Sequence, residues 1–134
     1  MKIMVIGTGY VGLVTGTCLA EAGYRVICVD RDQNKIEKLK KGISPIYEIY
    51  LEDMIRRNIK ENRLSFSASI ECEMTDTQIV FIAVGTPALE NGEVDTAQVE
   101  EAARCISKSI KKYTVIVNKS TVPVGTCKRV THII

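Results

Sequence analysis

A buried strand that runs straight into three spaced glycines restricts this chain more than any other feature. Residues Lys2 to Ile6 are apolar apart from the first, partly β-branched, and stop at Gly7. Gly7-Thr8-Gly9-Tyr10-Val11-Gly12 then has the spacing G-x-G-x-x-G. From about Val11 to Ala22 apolar residues recur at helical spacing, and Val11, Val14, Cys18, Leu19 and Ala22 are expected on the inner face. Strand, glycine loop and helix in this order are the setting in which the motif points to a dinucleotide. Gly7 would turn the chain off the strand. Gly9, without a Cβ, would let a pyrophosphate approach the backbone, and Gly12 would let the helix pack closely. The helix N-terminus would add unpaired N–H groups and a partial positive charge. A tight turn with no ligand is the plainer alternative.

The rest of the chain alternates in the same way. Gly23 is placed to end the first helix in a left-handed conformation. Arg25 to Val29 is a second buried strand, closed by Asp30. An acid about 20 residues beyond the glycines can accept hydrogen bonds from the adenosine ribose and would repel a 2′-phosphate, which favours NAD over NADP. Arg31, next to it, pulls the other way. Asp32 can cap a helix that carries Ile36 and Leu39 inward and Lys35, Lys38 and Lys40 outward. Gly42 and Pro45 mark a loop, and Leu51, Met54, Ile55 and Ile59 predict a further amphipathic helix. Leu64 to Ser67 reads as a short strand and Gln78 to Val84 as a strong one, with a turn at Asn91-Gly92. Asp95 or Thr96 can cap a helix whose inner face is Val99, Ala102, Ala103, Ile106 and Ile110. Thr114 to Asn118 predicts another strand, after which Pro123 and Gly125 lead into the start of a helix. Strands apolar on both faces and alternating with helices predict an α/β fold: a doubly wound, mostly parallel sheet of the Rossmann type.

Composition narrows the function classes. With 18 basic and 16 acidic residues the formal net charge is +2, which gives no reason to expect nucleic acid or a membrane surface as partner. No apolar run approaches the ~20 residues of a membrane helix. Met1-Lys2 leads into an apolar run too short for a secretory leader, so a cytoplasmic protein is expected. The five cysteines, Cys18, Cys28, Cys72, Cys105 and Cys127, form no C-x-x-C pair, and His132 is the only histidine. No metal site is expected, and the cysteines read as free thiols.

Four further segments carry a family resemblance. They are Ser44-Pro45-Ile46-Tyr47-Glu48, then Val84-Gly85-Thr86-Pro87, then Asn91-Gly92-Glu93-Val94-Asp95, then Lys119-Ser120-Thr121-Val122-Pro123-Val124-Gly125-Thr126. With the glycine loop and Leu13, this set resembles the N-terminal domain of the UDP-glucose 6-dehydrogenase family of nucleotide-sugar dehydrogenases. The family oxidises the C6 alcohol of a sugar nucleotide to a carboxylate with two NAD. The resemblance implies that Gly7, Gly9, Tyr10, Val11 and Gly12 hold the pyrophosphate and that Asp30 and Lys35 hold the adenosine ribose. It implies that Val84, Gly85, Thr86 and Pro87 border the cofactor. It places Ser120 and Thr121 near the nicotinamide, with Thr121 supporting catalysis by ordering water. UDP-glucose is the implied substrate of the whole enzyme, and a homodimer of that enzyme fits the family. A GDP-mannose or UDP-N-acetylamino-sugar dehydrogenase, or a stand-alone NAD(P)-binding module, is the alternative reading. The chain departs from the family after Glu48, where the usual Pro-Gly is Ile49-Tyr50. None of the five cysteines matches the family's nucleophile. The pattern breaks off at Thr131-His132-Ile133-Ile134, so the expectation is one domain over 1–134, cut within its last helix and lacking the catalytic and sugar-nucleotide domains.

Overall fold

The computed structural model describes residues 1–134. Five strands form one sheet: β1 (Lys2–Ile6), β2 (Arg25–Val29), β3 (Leu64–Ser67), β4 (Ile79–Ile82) and β5 (Val115–Asn118). Their order across the sheet is β3-β2-β1-β4-β5, and every pairing is parallel. Helices α1 (Tyr10–Glu21), α2 (Gln33–Lys40), α3 (Leu51–Lys60), α4 (Ile70–Glu73), α5 (Ala97–Ser109) and α6 (Thr126–Ile133) connect them. The doubly wound parallel sheet expected from the alternation is therefore present. No helix is long and apolar enough to cross a membrane.

Strand alternation splits the core in two. Ile3, Val5, Val26, Cys28, Leu64 and Phe66 face one side, against Leu13 and Ala20 of α1, Ile36 and Leu39 of α2, and Leu51 and Ile55 of α3. Met4, Ile6, Ile27, Val29, Val80 and Ile82 face the other, against Val99, Ala102, Ala103 and Ile106 of α5 and Val130 of α6. Burial pushes the Cys28 thiol up to about 12, so it is an inert core group.

Helix α1 presents a different face from the one expected. Its buried residues are Gly12, Leu13, Gly16, Thr17 and Ala20. Val11 and Cys18 are exposed, as is Ala22, while Val14 and Leu19 are only half-buried. Side-chain size decides this. A Cβ on Gly16 would stand 2.4 Å from Cys28 Sγ, so a stripe of small residues is what lets the helix lie close to the sheet. Apolar residues occur all round α1, and periodicity alone could not pick the face. The helix ends as expected at Gly23 (φ +96°), with Gly23 N–H donating to the Ala20 carbonyl and Tyr24 N–H to that of Leu19.

Two further differences have local causes. Strand β4 stops at Ile82 rather than Val84, because the N–H groups of Lys119 and Ser120 both donate to the Ile82 carbonyl and end the ladder there. The single turn α4 was not expected, since four residues carry no period; Ser69 Oγ caps it by accepting from Cys72 N–H at 3.2 Å. The departure at Ile49-Tyr50 also has a structural counterpart. Tyr50 is left-handed (φ 64°) at the start of α3, a conformation a glycine there would hold without Cβ strain.

Gly16→Ala is expected to destabilise by about 1–3 kcal/mol through overpacking against Cys28. Adding Cys28→Ala should cancel part of that loss, giving a favourable coupling energy in urea unfolding followed by circular dichroism. Tyr50→Gly is expected to raise the melting temperature, by a net stabilisation of about 0.5–1 kcal/mol once the entropic cost of ordering a glycine is set against the relieved left-handed strain.

Candidate functional site

Strand register assembles the site. Ile6 lies opposite both Val29 and Ile82, so Gly7, Asp30 and Ala83 emerge side by side at the C-terminal edge of the sheet. Gly7 N–H donates to the Val29 carbonyl at 2.7 Å, and Ala83 N–H donates to that of Ile6 at 2.8 Å. A cavity of about 600 Å³ opens over this edge. In open α/β sheets this is where ligands bind.

The three glycines of the loop are not equivalent. Gly7 has φ +100°, and a Cβ there would meet the Ala83 carbonyl oxygen at 2.4 Å. A Cβ on Gly12 would meet the Gly7 carbonyl oxygen at 1.9 Å. The protein's own packing therefore requires both. Gly9 has ordinary extended geometry (φ −72°, ψ −174°), and a Cβ there would meet nothing within 4 Å. It is exposed on the cavity wall, at the N-cap of α1. The first helical bond is Leu13 N–H to the Gly9 carbonyl at 2.9 Å, so the N–H groups of Tyr10, Val11 and Gly12 precede it.

Asp30 is the polar centre of the cavity. Its Oδ2 accepts from Thr8 N–H at 2.9 Å, from the Thr8 hydroxyl at 2.6 Å and from Lys35 Nζ at 3.1 Å. Its Oδ1 accepts from Asp32 N–H at 3.0 Å. Burial by itself would raise its pKa, but the hydrogen bonds from Thr8, Asp32 and Lys35 outweigh it and hold the carboxyl below the usual carboxylate range. Lys35 is thus not on a solvated outer face as its spacing suggested. It is half-buried on the first turn of α2 and reaches back to pair with Asp30 at the end of β2. Asp32 caps that helix as expected, accepting from Lys35 N–H.

Of the residues singled out in the sequence, Gly7, Gly9, Asp30, Lys35, Val84 and Gly85 line the cavity. Gly12 lies beneath it. Tyr10 and Val11 are exposed where α1 begins, and the Tyr10 hydroxyl donates to Glu48 Oε2 at 2.6 Å, tying the glycine loop to the 46–50 loop. Thr86, Pro87, Ser120 and Thr121 sit outside the cavity, on the adjoining loops after β4 and β5. The hydroxyls of Thr86 and Ser120 face each other's loops. Thr86 donates to the Thr121 carbonyl and Ser120 to the Val84 carbonyl, each at 2.8 Å. These two groups fasten the loops together.

Several residues of the site are not marked by the sequence pattern. Thr8 is 1% exposed and holds Asp30. Gln98 and Cys105 reach the cavity from α5 beside the expected inner-face residue Ala102, and Ser69, Ile70 and Glu71 reach it from α4 and its N-cap. Gln98 and Cys105 flank Ala102 at i, i+4 and i+7, and the more apolar stripe that Ala102 shares with Val99, Ala103 and Ile106 overshadows that spacing. Arg31 is exposed at the rim, 3.8 Å from Glu101. No group of histidine, cysteine and acidic side chains is arranged to hold a metal ion.

A parallel sheet of order β3-β2-β1-β4-β5, a glycine loop at a helix N-terminus and an acid at the end of β2 define a Rossmann dinucleotide-binding domain. The family model described as UDP-glucose/GDP-mannose dehydrogenase family, NAD binding domain, matches residues 1–134, and the chain belongs to that family. It is 51% identical over 133 residues to UDP-glucose 6-dehydrogenase TuaD of Bacillus subtilis, covering 99% of this chain and 29% of that protein. It is 52% identical over 126 residues to UDP-glucose 6-dehydrogenase YwqF of the same organism, covering 94% and 29%. The crystal structure of a ternary complex of GDP-mannose dehydrogenase from Pseudomonas aeruginosa superposes with a TM-score of 0.93 at 36% identity, covering 97% of this chain and 30% of that one. The chain thus spans about a third or less of the length of the relatives it matches.

The depressed Asp30 carboxyl makes a pH prediction. Its folded pKa lies below the unfolded value of about 3.9, so its stabilisation is complete above that value and is lost as pH falls through the folded pKa. Asp30→Asn is therefore expected to be less stable than wild type at neutral pH. The gap should narrow below about pH 4 in denaturant titrations; a gap independent of pH would contradict the assignment.

Proposed function

We propose that this chain is the cofactor platform of a nucleotide-sugar 6-dehydrogenase whose substrate is UDP-glucose. Gly9 carries the cofactor part of the reading. Neither its backbone angles nor any neighbouring atom demands a glycine, yet the open space beside it faces the cavity at a helix N-terminus. A pyrophosphate approaching the backbone accounts for that space, and the cavity volume suits a nucleotide-sized ligand. Gly7, Gly9 and the first N–H groups of α1, at Tyr10, Val11 and Gly12, would hold the phosphates. Asp30 and Lys35 would take the adenosine ribose. Val84, Gly85, Thr86 and Pro87 would border the cofactor, with Ser120 and Thr121 toward the nicotinamide.

Bound NAD would supply the hydride acceptor. The chain's own part is to bind and orient it, with the Thr86 and Ser120 hydroxyls keeping the two loops in register. Thr121, exposed on the β5 loop, would support the reacting centre. None of the five cysteines matches the family's nucleophile, so this domain alone would bind NAD without turnover, and the covalent chemistry would lie elsewhere in a longer enzyme. The names of the two Bacillus subtilis relatives favour UDP-glucose; that of the Pseudomonas aeruginosa structure makes GDP-mannose the second reading. Free thiols at all five cysteines agree with a reducing cytoplasmic setting. The whole enzyme would act as a homodimer.

Calorimetric titration with NAD tests the platform. Gly9→Val should keep a wild-type circular dichroism spectrum and lose no more than about 1 kcal/mol of stability, a helix-cap effect, while NAD binding disappears. Asp30→Ala should weaken NAD and narrow its advantage over NADP. Full NAD binding by a folded Gly9→Val protein would reject the site.

A further inference from the structure

Asp30 can discriminate between cofactors only if its carboxylate keeps one orientation, and the structure shows what keeps it. Oδ2 already receives three donors, two of them from Thr8. Oδ1 receives only Asp32 N–H, so the remaining acceptor capacity for a ribose hydroxyl lies on that oxygen. Thr8 is the first variable position of the glycine loop. The pairing of Ile6 with Val29 brings it beside Asp30 across the strand ends. The Thr8 hydroxyl lies at 2.6 Å, within the short range of charge-assisted bonds, on a residue that is 1% exposed. A ligand cannot reach it. Lys35, the other side-chain donor, is a flexible amine with 30% of its side chain exposed.

We propose that Thr8 is a positioning residue for cofactor selection: its hydroxyl and amide lock the Asp30 carboxylate in the orientation that accepts a ribose hydroxyl and repels a 2′-phosphate. This rests on the cofactor reading above and deepens it. The other charged groups near Asp30 are Lys35 and Asp32 of the α2 turn, Arg31 at the rim with its partner Glu101 from α5, and Glu71 from α4. The rim pair is well exposed, and screening leaves it a weak determinant. Thr8 is the only one of Asp30's partners that is both buried and doubly bonded to it.

The test uses Thr8→Val, which keeps the shape and removes the hydroxyl, and Thr8→Ser, which restores it. Calorimetry with NAD and NADP on both variants should show NAD weakened about tenfold in Thr8→Val, the loss of one hydrogen bond to a charged group. NADP should be unaffected or tighter. Binding of NAD should also fail at a higher pH than in wild type, because Asp30 without that donor protonates sooner. Thr8→Ser should recover both the affinity ratio and the pH limit. Carbon NMR of the Asp30 carboxyl in the free protein gives a readout independent of any ligand: its titration midpoint should rise in Thr8→Val. An unchanged midpoint, or wild-type selectivity in a folded Thr8→Val protein, overturns the proposal. Failure of Thr8→Ser to restore selectivity also overturns it, since packing of the methyl would then be responsible. A raised midpoint in a protein whose wild type binds neither dinucleotide would reject the cofactor reading, and selection with it, while keeping Thr8 as the group that orients Asp30.

Discussion

The approach of helix α1 to the Gly7 carbonyl governs the rest of this structure. The space a Cβ on Gly12 would need is filled by that oxygen, 1.9 Å away, so the helix can begin this close to the strand only with a bare Cα there. Gly16 and Ala20 continue the same narrow stripe, each one turn further along. The helix then packs directly over β1 and β2, its N-terminus ends up at the C-terminal edge of the sheet, and its N-cap, Gly9, lines the cavity. A side chain at position 12 would move the helix outward and take its N-terminus away from Asp30.

Asp30 shows how a buried charge is tolerated at such a place. Burial disfavours the carboxylate, and four donors from three neighbouring residues reverse the balance. The arrangement is local in sequence on one side, through Asp32 and Lys35, and distant on the other, through Thr8. On the far half of the sheet a similar economy joins the loops after β4 and β5. There two hydroxyls satisfy carbonyls that the shortened ladder leaves free, so the loops are held without a strand between them.

The sheet was legible because its strands are apolar on both faces and bounded by turn residues, and the five predicted strands are the five observed. Helices α2, α3 and α5 were legible because their apolar stripes contrast with charged faces; Ile36, Leu39, Leu51, Ile55, Val99 and Ile106 are all buried. The inner face of α1 was not, because apolar Val11 and Cys18 compete with Gly12, Gly16 and Ala20, and periodicity cannot weigh small size as an advantage. Asp30 was legible from its distance to the glycines. Its bond to Lys35 was not, since a lysine at an outward spacing reads as solvated.

By itself, then, the order of residues determined the α/β alternation, the position of the glycine loop and the acid at the end of the second strand, all of which follow from local conformational preference and hydrophobic pattern. That Gly12, Gly16 and Ala20 rather than Val11 and Cys18 form the inner face of α1, which oxygen of Asp30 is already committed, and that Thr8 is a partner of residue 30 were decided only by the tertiary structure. Those are questions of occupied space and of groups brought together from distant positions by strand register, and neither quantity is written in the spacing of residues along a chain.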